Sequence, residues 1–194
     1  MPHIELPEGL PGITGLLEYR QDTAQPIREL TQVLLRGPST LSEGERELIA
    51  THVSSRNRCT FCTTAHTAAA ALLLGDEAAA DAVKQDIDAA PVSEKMKALL
   101  TIAGKVQEDG RKVTEDDVAE ARRHGATDVE IHDTVLIAAL FCLYNRYVDG
   151  LATITPEEPT YYETLAERIV HRGYMRPPGG YKEEHKYRPE SRAS

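Results

Sequence analysis

Two thiols and an imidazole stand close together in the stretch Arg58-Cys59-Thr60-Phe61-Cys62-Thr63-Thr64-Ala65-His66. On a helix, successive residues turn by about 100°, so Cys59, Cys62 and His66 fall within an arc of roughly 60° and share one face. A thiol at a helix N-terminus feels the positive end of the backbone dipole and unpaired N–H groups, both of which favour the thiolate. His66 follows Cys62 by four residues and is placed to take its proton or steady the anion. Glu47, on the preceding helix, is the candidate carboxylate to orient that imidazole. The chemistry of such a set is either thiol–disulfide redox or metal binding.

A zinc site would need a fourth ligand, and neither Cys142 nor His52 stands at a characteristic spacing from the other three residues. The redox reading is therefore favoured, with no metal and no cofactor expected. Taken alone, Glu47 reads as a solvated helix residue paired with an arginine. Cys142, inside an apolar run, reads as a small hydrophobe. Asn145 and Asp149 share a helical face, where helix-end hydrogen bonds or subunit contacts are favoured over a place at the pocket border. His3, His124, His132, His171 and His185 have no partner pattern and are assigned no function.

The elements that must hold these groups are helical. Apolar residues recur at three- and four-residue spacing from about Pro26 to Gly173, and strand-like alternation is scarce. Ser42 with Glu45 forms a capping box that opens a helix ending near Arg56-Asn57. The next helix starts at Cys59 or Thr60, runs through an Ala-rich stretch to Leu74 and stops at Gly75. A short helix is expected over Asp76–Asp86, another from Ser93 towards Gly110, two headed by Thr114 and Thr127, and a last one over Pro159–His171. The run Val135–Phe141 is apolar on all sides, as in a helix packed on several neighbours or within a subunit interface.

At 194 residues one hydrophobic core suffices, and 41% apolar with 27% charged residues is an ordinary globular balance. The net charge of −9 disfavours nucleic acid and anionic membrane surfaces, and the absence of Trp leaves few stacking platforms. No apolar run approaches the roughly 20 residues of a membrane-spanning helix. Three cysteines, an odd number, argue against a secreted disulfide framework, and the N-terminal stretch lacks a basic leader with an apolar core, so the expected location is cytoplasmic.

The spacing Glu47, eleven residues, Cys59-x-x-Cys62-x-x-x-His66 resembles alkylhydroperoxidase D. Leu10-Pro11-Gly12-Ile13, Leu41-Ser42-Glu43-Gly44-Glu45-Arg46-Glu47 and Asn145-Arg146-Tyr147-Val148-Asp149-Gly150 are similar to the peroxidase-related branch of the carboxymuconolactone decarboxylase superfamily. The likeness spans approximately residues 5 to 175 and implies an all-α, AhpD-like helical bundle. The expected division is an N-terminal arm (1–23), the helical domain (24–174) and a C-terminal tail (175–194) read as flexible from its Pro-Pro-Gly-Gly and mixed charges.

The resemblance further implies a peroxidatic role for Cys62, a resolving role for Cys59 and a proton relay through His66 and Glu47. Phe61 stands where the best-studied branch has a second histidine between the cysteines. The implied partners are a hydroperoxide substrate, a dithiol or thioredoxin-like reductant, and further copies of the chain in a dimer-based assembly, a trimer or a hexamer. The expected activity is that of a thiol-dependent peroxidase. The alternatives are a protein disulfide reductase or adaptor using the same dithiol, a zinc-stabilised binding module, and a decarboxylase-type lyase.

Overall fold

Side-chain caps fix where most of the helices begin. In the computed structural model, which describes residues 1–183 and 186–188, Ser42 Oγ accepts from the Glu45 backbone N–H at 3.2 Å and Glu45 Oε2 accepts from the Ser42 N–H at 2.8 Å. Thr114 with Asp117 and Thr127 with Glu130 repeat this reciprocal box, and Ser93 caps through Met96 N–H. The chain forms α1 (Gly12–Tyr19), α2 (Gln21–Arg36), α3 (Glu43–Arg56), α4 (Thr60–Leu74), α5 (Glu77–Ala82), α6 (Glu94–Glu108), α7 (Glu115–Arg123), α8 (Asp128–Gly150) and α9 (Pro159–Arg172). A 3₁₀ turn, Gly110–Lys112, links α6 to α7. Among the described residues there is no strand, so the architecture is the all-α one expected.

Two differences from the sequence expectation have local causes. The Pro- and Gly-rich start of the chain contains α1, whose N-cap Pro11 makes no side-chain cap and whose Gly12 and Gly15 are poor helix formers. Burial of Leu16 and Leu17 holds it instead, a tertiary contribution that local patterning does not register. The helix expected over Asp76–Asp86 is cut to Glu77–Ala82, because the chain then turns through Lys84 N–H to Asp81 O and Gln85 N–H to Ala82 O.

Helix α4 lies between α3 and α9, with α6 and α8 completing the body of the bundle. Leu35, Leu48, Ile49, Leu99, Leu100, Ile137 and Phe141 fill the main core. Burying each such side chain contributes about 1.5–3 kcal/mol. A second apolar cluster, Leu16, Phe61, Ala65, Tyr162, Leu165 and Ile169, joins α1, α4 and α9 and encloses Cys59 and Cys62. The apolar run of α8 buries Ile137, Ala138, Leu140 and Phe141, while Ala139 and Leu143 face outward.

Gly12 sets the spacing between α1 and the dithiol. Its φ is +57°, and a Cβ there would lie 2.2 Å from Phe61 Cζ. Gly12→Ala therefore combines left-handed backbone strain with overpacking and is expected to cost about 2–4 kcal/mol. Gly75 has a similar φ of +64° but open space around it, so Gly75→Ala should cost only about 1 kcal/mol. Thermal melts of the two variants measure the packing contribution by difference; equal losses would mean that Phe61 does not press on Gly12.

The chain beyond α9 folds back over its own subunit. Arg176 pairs with Glu18 of α1 at 2.8 Å, the Tyr187 N–H donates to Gly9 O at 2.8 Å, and the Tyr187 hydroxyl donates to Glu158 at 2.7 Å. His185 and the far end of the tail lie outside the described residues.

Candidate active site

The turn between α3 and α4 aims the dithiol. Arg58 adopts a left-handed φ of 60°, and Cys59 follows in extended geometry as the N-cap of α4. Its N–H donates to Ser54 O at 3.1 Å and its carbonyl accepts from Thr63 N–H at 2.9 Å. Cys62 is then the third residue of the helix, close to the positive end of the dipole. Both cysteines are free and buried, at 0% and 2% exposure.

Cys59 and Cys62 lie in the same buried cluster, and Cys59 and the Asn145 amide are the polar neighbours that act on the Cys62 thiol. The adjacent Cys59 sulfur and burial push the Cys62 thiol well above the ordinary cysteine value, with Asn145 acting against them. The helix terminus thus does not leave a resting thiolate on Cys62, as its position in the sequence had suggested. A sulfur neighbour and a low dielectric outweigh the dipole, because a second negative charge at contact distance is strongly disfavoured.

His66 is held on three sides. Its Nδ1 lies 2.7 Å from Glu47 Oε2, its ring meets Phe141 edge-on at 4.6 Å, and the Tyr174 ring stacks on it at 6.3 Å. Since a carboxylate accepts, Nδ1 carries the proton, which leaves Nε2 as the nitrogen free for proton transfer. Glu47 is fully buried on α3, and its other oxygen accepts from Arg36 Nη2 at 2.6 Å and from the Tyr174 hydroxyl at 2.5 Å. Burial opposes ionisation of Glu47, yet His66, Arg36 and Tyr174 together hold its carboxyl below the usual glutamate range. Burial, reinforced by the Glu47 charge, raises the Tyr174 hydroxyl well above the ordinary tyrosine value, so it stays protonated and donates.

Cys62 and His66 both line a cavity of about 440 Å³ walled by α1, α4, α9 and the chain from Gly173 to Tyr181. Cys59 is not in that wall; it sits behind Cys62. Among the described residues, no group of three His, Cys, Asp or Glu has the arrangement to hold a metal ion.

The model of the carboxymuconolactone decarboxylase family matches residues 21–103, which include Glu47, both cysteines and His66. The AhpD core of a peroxidase-related protein from Ralstonia eutropha JMP134 is 28% identical with a TM-score of 0.72, over 80% of each chain. In sequence and fold the chain is similar to AhpD-like proteins of the carboxymuconolactone decarboxylase superfamily. An uncharacterised peroxidase-related protein from Silicibacter sp. TM1040 is 25% identical with a TM-score of 0.74, covering 84% of this chain and 94% of its own. A candidate antioxidant defence protein AhpD from Agrobacterium tumefaciens shares the fold at 19% identity and a TM-score of 0.67, covering 81% of this chain and 100% of its own. No curated protein matches the sequence.

In this AhpD-like frame, the four residues singled out by spacing come together: Cys59 with Cys62, and Glu47 with His66. Sequence reasoning missed three further members. Arg36 and Tyr174 complete the buried network around Glu47, and Tyr174 is 127 residues from its partner, beyond any local pattern. Asn145 is 1% exposed, donates to Ser54 Oγ at 3.1 Å and accepts from Asn57 Nδ2 at 2.8 Å, so its amide is fixed against the dithiol. A polar residue interrupting an apolar helical run was the one available signal, and helix-end or subunit contacts had been favoured for it. Cys142 is half-buried beside the main core, 3.5 Å from Asn57 Nδ2.

Proposed function

We propose that this chain is a thiol-dependent peroxidase, reducing hydroperoxides through the Cys59–Cys62 dithiol with His66 and Glu47 as the proton relay. The observation that carries the reading is the division of the two sulfurs: Cys62 faces the cavity beside His66, and Cys59 waits behind it in contact. A resting thiol at Cys62 calls for deprotonation during attack, and His66 Nε2, backed by Glu47, is the base within the same cavity. The Cys62 sulfur attacks the O–O bond, giving a sulfenic acid and releasing the alcohol, which takes up the proton. The Cys59 thiol then displaces hydroxide, which leaves as water with the Cys59 proton, and the disulfide forms. In sum, one dithiol and one hydroperoxide give one disulfide, one alcohol and one water.

A dithiol or thioredoxin-like protein would return the disulfide to the dithiol, a role suited to a reducing, cytoplasmic setting. The reading includes a dimer-based homo-oligomer, supported by the outward-facing Ala139 and Leu143 of α8. A partner protein's disulfide would have to reach Cys62 at 2% exposure, whereas a small hydroperoxide need only enter the cavity. That contrast favours the peroxidase over a disulfide adaptor. A lyase acting on a ring acid would be indifferent to alkylation of the thiols.

The test is a thiol count. Reduced protein, with three cysteines per chain, is exposed to cumene hydroperoxide, denatured and titrated. Two of the three thiols should disappear for each peroxide consumed and return on treatment with dithiothreitol. Retention of all three in excess peroxide would remove the proposal.

A further inference from the structure

The walls of the cavity carry a charge pattern that reduction of a simple hydroperoxide does not require. Arg28, Arg168, Arg172 and Arg176 all line it, and among the described residues no carboxylate does. Glu18, outside the lining, answers Arg28 at 3.3 Å and Arg176 at 2.8 Å with a single charge. Among the described residues, Arg168 and Arg172 form no ion pair; Arg168 lies 5.0 Å over the Tyr181 ring. Arg28 is 5% exposed; its Nη1 donates to Tyr174 O at 3.3 Å and to the Tyr181 hydroxyl at 3.2 Å, and its Nε–H has no hydrogen-bond partner among the described residues. A buried guanidinium donor without a partner is costly unless a ligand completes it, and Arg28 is a lining residue of the cavity. This cluster opposes the net charge of −9 of the whole chain, so it is a local feature of the cavity and not an average of the surface.

Between the arginines and the sulfur the wall is apolar, formed by Ile13, Leu17, Leu165 and Ile169. We propose that the cavity accepts an amphipathic carboxylate, and that the substrate is a hydroperoxide bearing a carboxylate on an apolar body. The assignment of the substrate rests on the thiol-peroxidase reading; the anion-accepting cavity does not. The carboxylate meets the guanidinium groups, the apolar body fills the middle, and the O–O bond is presented to Cys62. The redox step is the one already balanced, with the carboxylate unchanged throughout.

Cumene hydroperoxide and its para-carboxylate differ by one charged group and serve as paired substrates. The carboxylated peroxide should show a kcat/KM higher by about tenfold at low salt, a preference that shrinks as salt is added. In Arg168→Gln/Arg172→Gln, altered at the outer wall, the ratio of the two values should fall to about one. Arg28→Gln also breaks the buried pair with Glu18, so the double variant carries the test if that protein does not fold. Calorimetry of the reduced protein with decanoate and with decan-1-ol reads the cavity apart from turnover. Decanoate binding without turnover of either peroxide would sink the peroxidase reading and leave the anion-accepting cavity standing. Equal turnover of both peroxides, or decanoate binding no tighter than decanol, would overturn the present inference and leave the peroxidase intact.

Discussion

Cys62→Ser should bring peroxide turnover to the uncatalysed background, a loss of at least about 10³-fold, because a serine hydroxyl neither attacks the O–O bond nor reaches the sulfenic state. Cys59→Ser should behave differently. Its Cys62 still lines the cavity beside His66, so the first oxidation proceeds and then stops. The sulfenic acid should accumulate on Cys62, one per chain, and be trapped by a dimedone adduct located by peptide mass spectrometry. Removing the Cys59 sulfur also removes the neighbour that raises the Cys62 thiol, so oxidation of this variant should start at lower pH than in the wild type. Catalytic turnover surviving in Cys62→Ser, or a dimedone adduct on Cys59 in the unaltered protein, would reverse the assigned roles.

The second large effect concerns Glu47, which is fully buried and accepts from His66, Arg36 and Tyr174 at once. Glu47→Leu leaves the Arg36 guanidinium, with a side chain 5% exposed, without the partner that lies 2.6 Å away. Breaking a buried pair from one side costs about 3–5 kcal/mol, since the remaining charge keeps its desolvation penalty. For a chain of this size the melting temperature should fall by about 6–20 °C. Glu43, 3.5 Å from Arg36 Nε, is too far to replace the lost contact fully.

The milder Glu47→Gln keeps the volume while removing the charge that fixes the His66 tautomer, and its peroxidase rate should drop by about 10²–10⁴-fold. Its pH profile of stability separates the charge from the packing. The folded-state carboxyl lies below the ordinary value of 4.5, so its stabilising contribution is complete above that pH and is lost as pH falls through the folded-state value. The stability gap between wild type and Glu47→Gln should therefore be constant near neutrality and close below about pH 4.5. A gap that persists unchanged into stronger acid would show that the Glu47 charge is not what holds Arg36 and His66.

Helix positions and the dithiol spacing were legible because both are written locally. Ser42 with Glu45 and Thr127 with Glu130 open their helices through contacts three residues long, Gly75 ends one with its left-handed backbone, and Cys62 and His66 occupy one face by the pitch of the helix alone. The pattern also named Glu47, whose partner His66 lies one helix away. Tertiary structure decided which sulfur meets the cavity, because Cys59 is not helical and the wall that excludes it is built by α1, α9 and the segment around Tyr174 and Tyr181. It also decided the protonation of Cys62 and the company of Glu47. Burial and charge are sums over everything that packs within a few ångströms, and here those neighbours, Arg36, Asn145 and Tyr174, come from three separate parts of the chain.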